Sequence, residues 1–153
     1  MILIGHIGLL PTLFEKVILP DAVRTELAAP NAPREVRVWI AAPPPWIEVR
    51  KAPDNSLEDE GLGRLDPGEK AVIKLATVLG GDVLLMDDRQ GVLAARRRGF
   101  GVIGTIGILD LAADCRLIDL PAVIARLRPT NFRRSESMLD ALLKKHALER
   151  GSA

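Results

Sequence analysis

The feature that most limits how this chain can fold is a set of short apolar runs without polar alternation, "KVILP" (16 to 20), "DVLLMD" (82 to 87) and "FGVIG" (100 to 104), separated by stretches with helical periodicity. A strand with no polar face is buried on both sides. Strands of that kind alternating with helices at short spacing imply an α/β fold, a parallel sheet with helices on both faces. Turn residues mark the remaining elements. Pro20 opens the helix "PDAVRTELAA", a second helix "REVRVWIAA" ends at Pro43 to Pro45, and "WIEVRK" (46 to 51) alternates like a strand. The polar segment "APDNSLEDEGLGRL" reads as a mobile loop. After it come the helices "DPGEKAVIKLATVLGG", "DRQGVLAARRRG" and "TIGILDLAADC" around the later strands, and then "LPAVIARLRP" and "SESMLDALLKKHALER".

At 153 residues the chain fits one domain, spanning 1–153. Hydrophobic residues make up 48% and charged residues 27%, which excludes a disordered chain. The net charge of +1 identifies no partner. With Cys115 as the sole cysteine there is neither a disulfide framework nor a cysteine metal site, so a cytoplasmic location is expected. The opening "MILIGHIGLLPTLF" has no basic start and its apolar part is too short to span a bilayer; it reads as a core helix, and no membrane association is expected.

In a parallel sheet with helices on both faces, ligands bind beyond the carboxyl ends of the strands. "VLLMDDRQG" (83 to 91) delivers two adjacent carboxylates, Asp87 and Asp88, to such an end. One can cap the following helix, Asp87 standing three residues before Gln90. A second on the same turn adds repulsion unless a cation or a cluster of donors absorbs it. Glu26 lies on or beside the apolar face formed by Ala22, Val23 and Leu27. Glu69 fits a capping box with Asp66, which would explain it completely, yet it is also in line with Val72, Ile73 and Ala76. Hard carboxylate oxygens from three points at one sheet edge favour Mg²⁺ or Mn²⁺. The two histidines are discounted as ligands, His6 as a core or boundary residue and His146 as part of the polar end of the last helix. Gly99, Gly101 and Gly104 have dinucleotide-fingerprint spacing but the wrong context; Gly99 reads as a helix C-terminal residue.

The order "VILPDAVRTEL", "LDPGEKAVIKLA", "LLMDDRQGVLAARRRGFGVIGTIGIL" resembles the PIN domain family, in particular a prokaryotic subgroup related to VapC-type toxins. The resemblance covers about residues 3 to 130, with 131–153 as a C-terminal helix. It implies a small α/β protein and a metal-dependent ribonuclease, in which Glu26, Glu69 and Asp88 hold Mg²⁺ or Mn²⁺ with Asp87 as a neighbouring catalytic residue. Two departures accompany it. Met86 stands where the family has Thr or Ser, and the family's first strand, ending in its first essential Asp, has no counterpart before "LIGHIGLL". The expectation is therefore a gap in the sheet, filled by residues 1 to 4, by another protomer or by upstream residues, and weak activity for the chain beginning at Met1.

Arg89 and Arg96 are the candidate phosphate contacts, with Arg97 and Arg98 closing the same helix. The chain has no Tyr and only five Phe or Trp, so a base-stacking platform is not expected and RNA binding should be weak. The implied partners are RNA, an antitoxin protein and a second copy in a homodimer. The alternative function is a catalytically dead interaction module.

Overall fold

The computed structural model describes residues 1–53, 62–130, 132 and 135–151. By packing they fall into two compact units, Leu10–Thr105 and a second made of Met1–Leu9 with Ile106 onward.

The central unit carries all the strands found among the described residues. After the short helix α1 (Leu9–Leu13), β1 (Val17–Pro20) leads into α2 (Asp21–Ala28) and α3 (Arg34–Ala41), and β2 (Ile47–Arg50) returns parallel to β1, with Val17 opposite Ile47 and Pro20 opposite Arg50. The second pair repeats the plan. Helix α4 (Pro67–Leu79) precedes β3 (Val83–Leu85), α5 (Arg89–Arg97) crosses over, and β4 (Gly101–Ile103) lies parallel to β3, with Val83 opposite Gly101. Parallel neighbours require such crossovers, because a tight turn can only reverse the chain. The α/β class and the parallel pairing are as the sequence implies. The strands nevertheless form two two-stranded sheets, with no ladder between β1 and β3.

Helix α4 is built by strong local signals. Asp66 caps it in extended conformation, Pro67 occupies the first turn, and Gly80 closes it in the left-handed region at φ 63°. Its inward face places Ile73 against Leu84, Met86, Ala94 and Ala95 in one apolar cluster. Leu62 and Leu65 join that cluster, so the end of the segment expected to be a mobile loop is anchored in the core. Residues 54–61, the middle of that segment, lie outside the described residues.

The first residues depart from expectation. Residues 2–5 form a turn in place of a helix, with Gly5 at φ 73°, a conformation that ends helical geometry and suits glycine. They form no strand either.

The second unit is helical: α6 (Thr105–Asp114, from Ile106 onward), α7 (Leu120–Leu127) and α8 (Glu136–Gly151). Leu109, Leu120 and Ile124 are fully buried in it. Arg128, just past α7, holds α8 through Asp140 at 2.8 Å and Glu136 at 3.1 Å. No described helix is long and apolar enough to cross a membrane.

Candidate metal centre

The acidic residues singled out from the sequence lie in the central unit, and three of them share one arrangement. Each fixes one carboxylate oxygen on backbone N–H groups at a helix start. Asp88 is the N-cap of α5, its Oδ1 accepting from Gln90 N at 2.7 Å and Gly91 N at 3.3 Å. Glu69 completes the capping box of α4, its Oε2 accepting from Asp66 N at 3.1 Å while its own N–H donates to Asp66 Oδ1 at 2.7 Å. Glu26, near the end of α2, reaches across to α4, where its Oε1 accepts from Gly68 N at 2.9 Å. The first N–H groups of a helix have no internal partner and carry its positive dipole end, so they hold these carboxylates in place. Glu26 is exposed along α2 and not on a buried face; the partner that positions it is the α4 backbone.

Glycine makes the close approach feasible. A Cβ on Gly68 would lie 2.6 Å from Glu26 Oε2, and one on Gly91 would lie 2.8 Å from Glu69 Oε1 and collide with Met86 Sδ. Gly68 therefore brings Glu26 to the residue adjoining Glu69, and Gly91, one turn into α5, packs against Glu69 beside the Asp88 cap.

The electrostatics are those of a site short of positive charge. Glu69 Oε1 is buried and accepts no hydrogen bond from the described residues. Burial pushes the Glu69 carboxyl above its usual 4.5; the Asp66 N–H opposes this, while the charges of Asp66 and Asp88 add to it. Asp88 moves the other way, held below its usual 3.8 by the N–H groups of Gln90 and Gly91. A buried carboxylate oxygen without a donor, next to a second carboxylate that has none to offer, fits a hard divalent cation.

Asp87 behaves differently from the expectation that it caps the following helix. Because α5 begins at Arg89, only the residue immediately before it reaches the N2 and N3 amides, so Asp88 takes the cap. Asp87 turns instead to the start of α6, Oδ1 accepting from Thr105 N at 3.0 Å and Oδ2 from the Thr105 hydroxyl at 2.5 Å. Both of its oxygens are engaged. Arg89 and Arg96 are exposed on α5, and Gly99 follows that helix at φ 83°, in the terminating role expected of it.

Sequence reasoning missed a second cluster, in the helical unit. Asp110, Asp114 and His146 bring ligand-type atoms within 4.8 Å of one another, a closeness that Glu26, Glu69 and Asp88 do not reach as a set. His146 is buried, contrary to its reading as part of a polar helix end, and its Nε2 lies 2.7 Å from Asp110 Oδ1. The spacing of Asp110 and Asp114, four apart on one helix face, was the available signal. Here the positive charge is already supplied: the Lys145 ammonium lies 2.7 Å from Asp110 and 3.7 Å from Asp114. Burial raises the Asp110 carboxyl, but hydrogen bonds from Lys145 and His146 outweigh it and leave Asp110 below its usual 3.8.

No curated protein and no solved structure matches the chain significantly. A family model described as a PIN domain matches residues 1–147, nearly the whole length and all of the acidic residues described above. With its α/β architecture of short parallel strands, the chain belongs to the PIN domain family.

Proposed function

We propose that this chain is a metal-dependent ribonuclease, with Glu26, Glu69 and Asp88 holding one Mg²⁺ or Mn²⁺ ion. The observation that carries the reading is the shared geometry of the three carboxylates. In each, one oxygen is committed to a helix N-terminus, and the hydrogen bonds described above leave Glu26 Oε2, Glu69 Oε1 and Asp88 Oδ2 uncommitted, with Glu69 Oε1 buried and unsatisfied. Prepositioned hard oxygens at a helix-lined strand end suit a small cation that keeps part of its water. A bound divalent ion supplies activation of water near neutral pH and stabilisation of a phosphodiester transition state. The chain's own contribution is placement. The N-terminus of α4 orients Glu26 and Glu69, the N-terminus of α5 orients Asp88, and Arg89 and Arg96 on the exposed side of α5 offer contacts to backbone phosphates.

In this reading the protein acts in the cytoplasm as a toxin-like endoribonuclease, with RNA bound weakly through phosphates, and with an antitoxin protein and a second copy of itself as partners. Cleavage of single-stranded RNA by the purified chain should require Mg²⁺ or Mn²⁺, stop on chelation, and fall by at least about 100-fold in Asp88→Asn, because neutralising a ligand removes charge where the transition state needs it. Cleavage that persists in EDTA, or that is equal in Asp88→Asn, would rule the reading out.

A further inference from the structure

We propose that Asp87 and Thr105 form a positioning clamp that sets Asp88 for its divalent ion; this rests on the function proposed above. Three consecutive residues after β3 are each tied to a different element. Met86 N donates to Ile103 O at 3.1 Å, extending the β3–β4 ladder by one residue. Asp87 gives both carboxylate oxygens to Thr105, the first residue of α6. Asp88 caps α5. The middle tie is closely fitted: a Cβ on Gly104 would lie 2.7 Å from Asp87 Oδ1 and 3.3 Å from Met86 O, so any side chain there would have to displace the Asp87 carboxylate.

The clamp has two consequences for the neighbouring acid. It anchors the residue just before Asp88 to Thr105, a tie separate from the α5 cap, so the position of Asp88 rests on two independent attachments. It also occupies the second carboxylate of the pair. Two adjacent ionised aspartates would otherwise repel each other or compete for one cation. Thr105 supplies an N–H at a helix start and a hydroxyl, and these absorb the charge of Asp87 and leave Asp88 as the carboxylate offered to metal.

The test is Mn²⁺ binding to the full chain, followed by electron paramagnetic resonance, with thermal unfolding of the same samples in EDTA. Asp87→Ala and Thr105→Val should weaken Mn²⁺ binding by about 10- to 100-fold, the range typical of partners that orient a metal ligand. Asp87→Asn, which keeps an oxygen for the Thr105 N–H, and Thr105→Ser, which keeps the hydroxyl, should recover most of that loss. Asp88→Asn serves as the ligand control and should lose binding. Asp87→Asn binding as poorly as Asp88→Asn would make Asp87 a ligand and overturn the clamp. Wild-type affinity in both Asp87→Ala and Thr105→Val would overturn it as well, as would affinity losses that merely follow the loss of thermal stability across all variants. A folded wild-type chain that binds no Mn²⁺ would defeat the proposed metal centre itself and the clamp with it, an outcome distinct from the others because there the wild type binds.

Discussion

Glu69 serves two ends that conflict when no metal is bound. As the third residue of α4 it closes a capping box, a role that stabilises the fold and that Gln fills equally well. As a half-buried carboxylate whose Oε1 is buried and unsatisfied, raised in pKa by burial and by the charges of Asp66 and Asp88, it destabilises the metal-free protein. Glu69→Gln keeps the cap and gives Asp88 a donor in place of a like charge. In EDTA near neutral pH this variant should be more stable than wild type by roughly 1 kcal/mol, the scale of relieving one unsatisfied buried polar atom, while losing Mn²⁺ affinity. Urea unfolding checks the first half; a variant less stable than wild type would mean that the carboxylate is satisfied in solution. The capping box was legible because Asp, Pro and Glu at fixed offsets report a local geometry. The division of labour between Asp87 and Asp88 was not. Spacing from Gln90 fits Asp87 as the cap, and only the helix start at Arg89, together with a partner 18 residues away at Thr105, reverses the assignment.

At the scale of elements, the N-terminus of α4 is where fold and site are most closely joined. Pro67 has no N–H to satisfy, the Gly68 N–H goes to Glu26, and the Glu69 N–H goes to Asp66. Gly68→Ala tests whether this joining matters. Helix propensity alone makes alanine better than glycine by about 1 kcal/mol in a helix interior. The added Cβ, however, would sit 2.6 Å from Glu26 Oε2 and must push that carboxylate away. The expected outcome is a protein no more stable than wild type with Mn²⁺ affinity reduced by about tenfold, as when an orienting partner is lost; a more stable protein with unchanged affinity would show that the Gly68–Glu26 contact is incidental. The elements themselves were largely readable, since unbroken apolar runs mark strands and Pro or Gly mark their limits, but the expected burial on both sides is not met: β1, β3 and β4 are mostly half-buried and Val83 is 49% exposed. Two things escaped. The opening apolar stretch is a turn followed by a one-turn helix, because Gly5 adopts a left-handed conformation that periodicity does not register. The division of four parallel strands into two pairs depends on contacts between residues tens of positions apart, which no local pattern encodes.

For the whole molecule, the two acidic clusters make opposite contributions to the dependence of stability on pH. Glu69 is raised, so the folded state binds its proton more tightly than the unfolded state, and metal-free protein gains stability as pH falls through that raised value. Asp110 is lowered by Lys145 and His146 despite its burial. Its contribution is present above the ordinary value of 3.8 and is lost as pH falls through the folded value. Asp110→Asn should therefore lower the melting temperature at pH 7 and flatten its decline below about pH 4. An acid decline unchanged from wild type would mean that the link between α6 and α8 carries no charge-dependent stability.

The same two clusters allow the most direct test of the central claim, that Glu26, Glu69 and Asp88 together hold one divalent ion. Crystals of the full chain soaked in Mn²⁺ should give one anomalous peak within coordinating distance of all three carboxylates, about 2.1 to 2.2 Å from each oxygen that binds directly or one water further away. The cluster of Asp110, Asp114 and His146 should give none, because Lys145 already provides its cation. A peak at Asp110 and His146 with none beside Glu69 and Asp88, or no peak at all in a crystal where the acids are accessible to solvent, would contradict the account.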